Sequence, residues 1–194
     1  MKKQHELQAI QARIRPHFIY NTLDAINWMA LDNGNEQISN ALIDLAALLR
    51  ENFTLGDDVV TIKSEMEHAA LYVKVMKHRS DCIINLIFDV EESMENNRAI
   101  KFTFQPIIEN AIIHGFMKEG RTSGNITIKG CMEDKWNVVS INDDGAGFAI
   151  DRQTGNGFGL KSVEERLKLY SGENSMMEVE SVVGKGTSVK LRWK

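Results

Sequence analysis

The sequence of 194 residues predicts an α+β protein, in which an N-terminal helical hairpin precedes a layer of strands and helices. The first observation is the distribution of the 14 glycines, because just two of them, Gly34 and Gly56, come before Gly115. Glycine is unfavourable inside helices and common in turns, so the glycine-poor part is expected to be helical. The second observation is the apolar spacing, which follows a helical period first and alternates as in strands toward the end.

A heptad seam runs along the first predicted helix. Its positions recur in alternating steps of three and four residues between 7 and 31, and polar residues such as His17 and Asn21 occupy the middle. The sequence "DNGNE" ends this helix, and a second helix over 37–53 turns its leucines inward. Because two helices bury little core by themselves, we expect two copies of the hairpin to pair into a four-helix bundle.

The rest of the chain alternates helices and strands. The predicted elements are a helix over 64–78, a strand over 82–90, a helix over 103–115, paired strands over 125–132 and 136–143, a helix that ends before Gly172, and a terminal hairpin over 176–193. Because the last strands are antiparallel, we expect a mixed sheet with its helices packed on one face.

Composition excludes several classes of protein. The net charge of -4 and the pI of about 5.8 give no indication of a nucleic acid or an anionic membrane as partner. Cys82 and Cys131 are isolated in sequence, so neither a disulfide framework nor a zinc site is expected. No apolar run approaches the roughly 20 residues that span a bilayer, so a membrane anchor is expected only upstream of Met1.

The stretch "RPHFIYN" places a proline in a helical pattern, directly before His17. Pro16 fits the first turn of a helix, in which case His17 is an incidental polar residue. Alternatively, Pro16 lies within a longer helix, where it leaves the Ala12 carbonyl without its partner and loosens the helix beside His17. The motifs downstream favour the second interpretation.

The stretch "ENAIIHG" places Asn110 and His114 four residues apart, on one face of a helix, with Ile108 and Ile112 on another. The side-chain oxygen of Asn110 suits one position on a hydrated Mg²⁺ ion. The alternative is a buried asparagine that bonds a neighbouring backbone group. A zinc site is not indicated, because no HExxH pattern accompanies the motif.

The stretch "DDGAG" follows a predicted strand and sets Asp143, Gly145 and Gly147 at alternate positions. A carboxylate at a strand end can accept a hydrogen bond from an exocyclic amine such as that of adenine, and the glycines let a flat ring approach. The alternative is an ordinary hairpin turn, for which Asp-Gly is a strong signal.

A third glycine motif, "GNGFGL", opens a helix with Gly155, Gly157 and Gly159. Free N–H groups at a helix start form a site suited to phosphates. The motif lacks the GK[ST] of a Walker A loop and the context of a dinucleotide fold. The "GKGTS" turn adds Gly186 and Thr187, as a further phosphate contact or as a plain hairpin loop.

The order of these motifs resembles the N, G1 and G2 boxes of the ATP-binding (Bergerat or GHKL) domain shared by histidine kinases, gyrase, Hsp90 and MutL. Together with "QARIRPHFIYNTLDAINWMA", the chain resembles the LytS and YesM branch of sensor histidine kinases, whose phosphoacceptor box reads approximately NPHFLYNTL. The stretch "SEMEHAALYVKVMKHR" resembles the linking helix of that branch. The resemblance implies a dimerisation and phosphotransfer hairpin over 1–58, a connecting helix over 59–80 and an ATP-binding α/β sandwich over 81–194.

The resemblance also implies roles for individual residues. His17 would be the phosphoacceptor, Asn110 the Mg²⁺ ligand and Asp143 the acceptor for adenine. The further nucleotide contacts implied are His114, Gly145, Gly147, Gly157, Gly159, Leu160, Lys161 and Thr187. The cofactors would then be ATP and Mg²⁺.

Two positions depart from the pattern of the branch. Arg15 stands where an asparagine is usual, and Phe18 follows His17 where the larger histidine kinase class has an acid that assists proton removal. Glu109 is a candidate base, and Asn21, one turn after His17, could hold the second ring nitrogen and select the tautomer.

The implied activity is autophosphorylation of His17 by ATP, followed by transfer to an aspartate of a response regulator. The expected protein is a homodimer, the cytoplasmic portion of a bacterial membrane sensor whose sensing region lies upstream. Two alternatives remain open at this point. One is a conformational ATPase that uses the same nucleotide fold, and the other is a dimerising scaffold without catalysis.

Overall fold

A computed structural model of the chain describes residues 16–53, 58–149 and 158–194. The chain divides into two compact units, Met1–Leu55 and Gly56–Lys194. Within the described ranges, no helix is both long enough and apolar enough to cross a membrane. The predicted kink at Pro16 involves Ala12, which lies outside the described residues.

The first unit contains the predicted helical hairpin. Its helices are α1 (Pro16–Asp32) and α2 (Glu36–Phe53). The Tyr20 hydroxyl near the start of α1 donates to the Leu49 carbonyl near the end of α2, at 3.3 Å. At the other end, Ser39 Oγ donates to Asn27 Oδ1 at 2.6 Å. The two helices are therefore antiparallel, as the sequence predicted.

Much of the apolar surface of this hairpin is exposed. The large apolar side chains concerned are Phe18, Ile26, Trp28, Met29, Leu31, Ile38 and Ile43, all at least 41% exposed. Among the described residues of this unit, the buried apolar side chains are those of Ala30 and Leu48. An exposed apolar surface of this kind is typical of a face that packs against a partner.

The second unit is an α/β layer whose elements follow in this order: β1 (Val59–Thr61), α3 (Ile62–Arg79), β2 (Ile83–Val90), β3 (Arg98–Ile100), α4 (Gln105–Asn110), a π-helical segment (Ala111–Met117), β4 (Ser123–Glu133), β5 (Trp136–Asp143), α5 (Phe158–Ser171), β6 (Met176–Val182) and β7 (Gly186–Trp193). The main sheet has the order β2-β4-β5-β7-β6. Strand β2 is parallel to β4, and the other pairs are antiparallel. The predicted mixed sheet is confirmed.

The core of this unit lies between the sheet and its helices. Ile108 and Ile112 are fully buried, as their predicted side of the helix requires. They share the core with Ile141 of β5 and Leu167 of α5, which are both 2% exposed. These apolar contacts place α4 and the π-helical segment at a defined height over the sheet, which positions the polar residues on their other face.

Two features differ from the sequence prediction. The helix expected over 103–115 begins at Gln105, and after Asn110 it continues as a π-helix to Met117. In addition, β1 and β3 form a separate two-stranded antiparallel sheet, with Val59 opposite Ile100. Strands of three residues are too short to show an alternating pattern, so the local sequence does not predict them.

Candidate functional site

A cleft of about 390 Å³ opens in the second unit, between the α4–π-helical segment, the end of β5 and the start of α5. It is lined by Ile107, Asn110, Ala111, His114, Gly115, Lys118, Glu119, Asp143, Gly147, Phe148, Leu160, Thr187 and Val189. The lining combines apolar side chains with a few polar groups, which is typical of a small-molecule site.

One wall of the cleft is a continuous stripe along the α4–π-helical segment. Asn110 and His114 both belong to this stripe, in agreement with the prediction that they share a face. The stripe continues one turn further to Lys118, whose Nζ lies 3.3 Å from His114 Nδ1. The i−5 bond from Lys118 N–H to the Ile113 carbonyl, at 3.0 Å, marks the wider π-helical turn. Such turns are frequent at functional sites.

Asp143 ends strand β5 and enters the same cleft from the sheet side. Its Oδ1 accepts a hydrogen bond from the Gly145 N–H at 2.8 Å, which holds the carboxylate in place. Burial raises the pKa of the Asp143 carboxyl above its ordinary value, and the N–H groups of Gly145 and Thr187 offset this in part. The result is a fixed, partly desolvated acceptor at the end of a strand.

Gly115 and Gly145 allow the helical wall and the turn after β5 to touch backbone to backbone. A Cβ atom on Gly145 would lie 2.7 Å from both Asp143 Oδ1 and Gly115 Cα, which is closer than carbon atoms approach. The Gly115 carbonyl also accepts the Ala146 N–H at 3.0 Å. The spacing of the "DDGAG" motif therefore brings Asp143 to the helix that carries Asn110.

Gly147 shapes the next part of the turn. Its φ of 61° lies in the left-handed region, and a Cβ atom there would be 2.1 Å from the Val182 carbonyl oxygen. The following residue, Phe148, donates its N–H to Ser181 Oγ at 2.9 Å. The turn therefore rests on the β6–β7 hairpin, and Thr187 of that hairpin also lines the cleft.

Asp144 has a different function from its neighbour Asp143. Its two carboxylate oxygens accept the N–H and the side-chain amide of Asn125, at 2.8 and 2.6 Å. Burial opposes ionisation of Asp144, but these two bonds and the charge of Arg121 outweigh it and lower the pKa below the ordinary value. Asp144 therefore ties the end of β5 to β4 outside the cleft, whereas Asp143 faces into it.

Several residues named from the sequence are not in the cleft lining. Glu109 points toward α3, where the Tyr72 hydroxyl hydrogen-bonds to it. Burial first, and then the charge of Glu109, raise the pKa of Tyr72 to about 12. Lys161 is exposed on α5 and does not line the cleft, although its neighbour Leu160 does.

Gly159, one of the glycines predicted to shape the nucleotide site, differs from the glycines after β5. A Cβ atom on Gly159 would be 3.9 Å from Asn110 Nδ2, so the residue lies beside the cleft without a close contact that demands glycine. Gly157 lies outside the described residues.

Sequence reasoning missed part of the lining. The lining residues that the sequence did not indicate are Ile107, Ala111, Gly115, Lys118, Glu119, Phe148 and Val189. Lys118 had a detectable signal, because it follows Asn110 and His114 by one more helical turn. Phe148 and Val189 had none, since their position depends on the turn after β5 and on the register between β5 and β7.

His17 lies in the first unit, on an exposed part of α1. Its Nδ1 is 3.2 Å from Nδ2 of Asn21, so the predicted pairing of the ring with the amide one turn later is present. Phe18, at 71% exposure, offers no polar group beside the ring.

The chain matches two protein families in the order expected from its motifs. Residues 5–83 match the family described as "Histidine kinase", and residues 95–194 match "Histidine kinase-, DNA gyrase B-, and HSP90-like ATPase". The second match contains the whole cleft lining.

Relatives of known name resemble nearly the whole chain. The sensor histidine kinase YesM of Bacillus subtilis (strain 168) is 33% identical over 197 residues, which covers 97% of this chain and 33% of YesM. The sensor histidine kinase BtsS of Escherichia coli (strain K12) is 27% identical, with 99% of this chain and 34% of BtsS covered. The sensor protein LytS of Oceanobacillus iheyensis is 26% identical, with 97% and 34% covered. The chain thus spans about a third of the length of each relative.

Solved structures show the same fold. The histidine kinase domain of the Erythrobacter litoralis EL346 blue-light activated histidine kinase superposes with a TM-score of 0.51 at 18% identity, covering 97% of this chain and 90% of that one. The catalytic domain of histidine kinase ThkA superposes with a TM-score of 0.52 at 12% identity, covering 72% and 97%. The resemblance to the LytS and YesM branch is confirmed, and the chain belongs to the family of histidine kinase-, DNA gyrase B- and HSP90-like ATPases.

Proposed function

We propose that this chain is the catalytic portion of a sensor histidine kinase, in which ATP bound in the cleft phosphorylates His17. The observation that supports this most directly is the cleft, where the half-buried Asp143 carboxylate and the helix of Asn110 meet at a backbone contact between Gly115 and Gly145. A histidine with a paired, exposed ring precedes this domain in the same chain. Matches to both kinase families and to named sensor kinases support the same conclusion.

The adenine end of the nucleotide is assigned to Asp143. The carboxylate is an acceptor only, so it selects a ring that presents an amine, and its fixed position avoids an ordering cost on binding. Ile107 and Val189 supply apolar surface in the same cleft for the faces of a flat ring. Gly147 leaves space at the turn beside them.

The phosphate end is assigned to the helical wall. Within the described ranges no cluster of three or more His, Cys, Asp or Glu side chains could hold a metal ion, so Asn110 would hold Mg²⁺ together with the nucleotide phosphates. The ion would neutralise phosphate charge in the transition state. Lys118 lines the cleft one turn beyond His114, where its ammonium group can add positive charge. The glycine motif that includes Gly157 is assigned to the same end, whereas Thr187, whose N–H bonds to the Asp143 carboxylate, is assigned to the adenine end.

The chemical step is an in-line displacement at the γ-phosphorus. A ring nitrogen of neutral His17 donates its lone pair to phosphorus, the bond to the ADP oxygen breaks, and the imidazolium product loses the proton on its other nitrogen. In this order no base has to act before attack, which removes the difficulty that Phe18 presents. Glu109 is bonded to Tyr72 and has no part in this scheme.

The phosphoryl group would then pass to an aspartate on a response regulator, and the helical hairpin would form a homodimer through its exposed apolar side chains. Both proposals follow from the relatives, which are named sensor kinases and are about three times as long as this chain. We propose that the sensing region and any membrane anchor belong to a longer protein, of which this chain is the cytoplasmic part.

The test is incubation with γ-labelled ATP and Mg²⁺, followed by measurement of acid-labile, base-stable label on the protein. Wild type should be labelled and His17→Gln should not, whereas His78→Gln, at another exposed histidine, should behave as wild type. Label that survives His17→Gln would contradict the proposal. Hydrolysis without a phosphoprotein would favour the conformational ATPase, and absence of both binding and label would favour the scaffold.

A further inference from the structure

The segment that precedes α4 is held by a carboxylate from α3, a helix that is distant in sequence but in direct contact with it. Three consecutive N–H groups, those of Phe102, Thr103 and Phe104, donate to the Glu65 carboxylate of α3 at 2.6, 2.7 and 2.9 Å. Glu65 is 2% exposed, so these bonds form out of contact with water. Phe102 has a φ of 60°, an unfavourable conformation for a residue with a side chain, which persists because its surroundings impose it.

These bonds fix the three residues that come immediately before α4. The first N–H groups of a helix have no partner within the helix, and Phe104, which precedes α4, provides no capping side chain. The Glu65 carboxylate of α3 accepts the N–H groups of the three residues just before them, and a carboxylate at this end of α4 suits the positive end of the helix dipole. Burial raises the pKa of Glu65, while the three N–H groups act to lower it.

The carbonyl groups of the same segment are held from the opposite side. Arg166 of α5 donates to the carbonyl oxygens of Lys101 and Phe102, at 2.9 and 2.7 Å. The peptide groups before α4 are therefore held by an acid on their N–H side and by a guanidinium on their carbonyl side. Helix α5 also carries Leu160 of the cleft lining.

Helix α3 makes two more polar contacts with α4. His68 Nε2 is 2.8 Å from Gln105 Oε1, and the Tyr72 hydroxyl bonds to Glu109. Glu65, His68 and Tyr72 are spaced by three and four residues, so they lie on one face of α3. Polar contacts are directional, and a set of them defines the position of a helix more sharply than apolar packing does.

We infer that Glu65 is a positioning residue for Mg²⁺-nucleotide binding, which holds the start of α4 so that Asn110 and His114 face the cleft. This inference rests on the proposed use of the cleft for ATP. The phosphate end of the nucleotide then depends on Glu65 through the helical wall. The adenine end does not, because Asp143 is positioned by strand β5 and Gly145.

The test compares Glu65→Gln with Glu67→Gln, which changes an exposed acid on the same helix. Glutamine has the same shape, but its NH₂ group faces N–H donors and cannot accept their bonds. ATP affinity is measured with Mg²⁺ and with a chelator, at a temperature where near-UV circular dichroism shows every variant folded. For Glu65→Gln we expect the affinity with Mg²⁺ to fall about 10-fold or more, as for other supporting residues of metal sites. The affinity without Mg²⁺ should stay within about twofold of wild type, since Asp143 is unmoved.

Equal losses with and without Mg²⁺ would indicate general destabilisation and overturn the inference, as would an affinity equal to that of Glu67→Gln. A wild-type protein that binds no ATP would instead contradict the proposed function. If Glu65→Gln does not fold, the same measurements are made on Arg166→Lys. Lysine keeps the positive charge, but its single ammonium group cannot reproduce the two bonds of the guanidinium to the Lys101 and Phe102 carbonyls. A loss confined to Mg²⁺-dependent affinity supports the inference, and an unchanged affinity overturns it.

Discussion

Nδ2 of Asn21 lies 3.2 Å from Nδ1 of His17, one turn earlier on α1. With the NH₂ group toward the ring, the amide donates to Nδ1, and Nε2 carries the ring proton. A half-turn of the amide presents Oδ1, which accepts the proton of Nδ1–H and leaves the lone pair of Nε2 free for attack. Under the proposed function, the amide would select which ring nitrogen is nucleophilic, and its oxygen would be a partner for the proton that the phosphorylated ring must lose.

We therefore expect Asn21→Ala to slow autophosphorylation without affecting ATP binding. The loss of one exposed hydrogen bond worth about 1 kcal/mol corresponds to a rate about fivefold lower. Single-turnover labelling measures the rate, with Asn40→Ala, an exposed asparagine on α2, as the control. If both variants react at the wild-type rate, the amide has no part in the reaction.

For Asp143→Asn we expect weaker ATP binding without a loss of stability at pH 7. The folded protein keeps the Asp143 proton at pH values at which the unfolded chain has lost it, because burial raises the pKa. Stability therefore falls as the pH rises from the ordinary pKa through the raised one, and asparagine removes that loss. ATP affinity should drop at least about 10-fold, since a hydrogen bond to a charged acceptor is lost.

Urea unfolding at several pH values and ATP titration test this prediction, with Asp144→Asn as the control. Asp144 has a lowered pKa, so it stabilises the fold above its unfolded pKa and loses that effect as the pH falls through the folded one. Asp144→Asn should therefore lower stability at pH 7 and bind ATP nearly as wild type does. The same response from both variants would show that the two acids are not distinguished as described.

We expect Gly147→Ala to destabilise the second unit more than Gly172→Ala does. Both glycines have positive φ, 61° and 81°, so both variants incur the backbone strain of about 1 kcal/mol or more. At Gly172 nothing lies within 4 Å of an added Cβ atom, whereas at Gly147 the Val182 carbonyl oxygen is 2.1 Å away. The free energy of unfolding, measured in urea, and ATP affinity should both be lower for Gly147→Ala, and equal values would contradict the close approach.

Trp28→Glu should shift the protein from dimer to monomer. Trp28 is 66% exposed in a single copy of the chain. Its burial in a dimer would account for an apolar side chain of this size on the surface. A buried, unpaired carboxylate there would be unfavourable. Sedimentation equilibrium measures the change, and Leu169→Glu, at a 78% exposed leucine of α5, is the control. A dimer that persists in Trp28→Glu would place the interface elsewhere.

Much of the fold could be predicted because its signals are local. The three-four spacing around His17 predicts the hairpin, and the alternation that ends at Trp193 predicts the last strands. The spacing of Asp143, Gly145 and Gly147 likewise predicts a turn built for close contacts. Each of these signals involves residues within a few positions of one another, so all of these residues belong to the same element of structure.

The sequence by itself therefore determined most of the elements, the order of the motifs and the residues of most chemical interest. Tertiary structure decided the π-helical turn after Asn110, the direction of Glu109 toward Tyr72 and the hydrogen bond from the Phe104 N–H to Glu65. Glu65 and Phe104 are 39 positions apart, and no local pattern relates them. Such contacts depend on how α3 packs against the start of α4. That packing is a property of the whole folded chain and not of any short stretch within it.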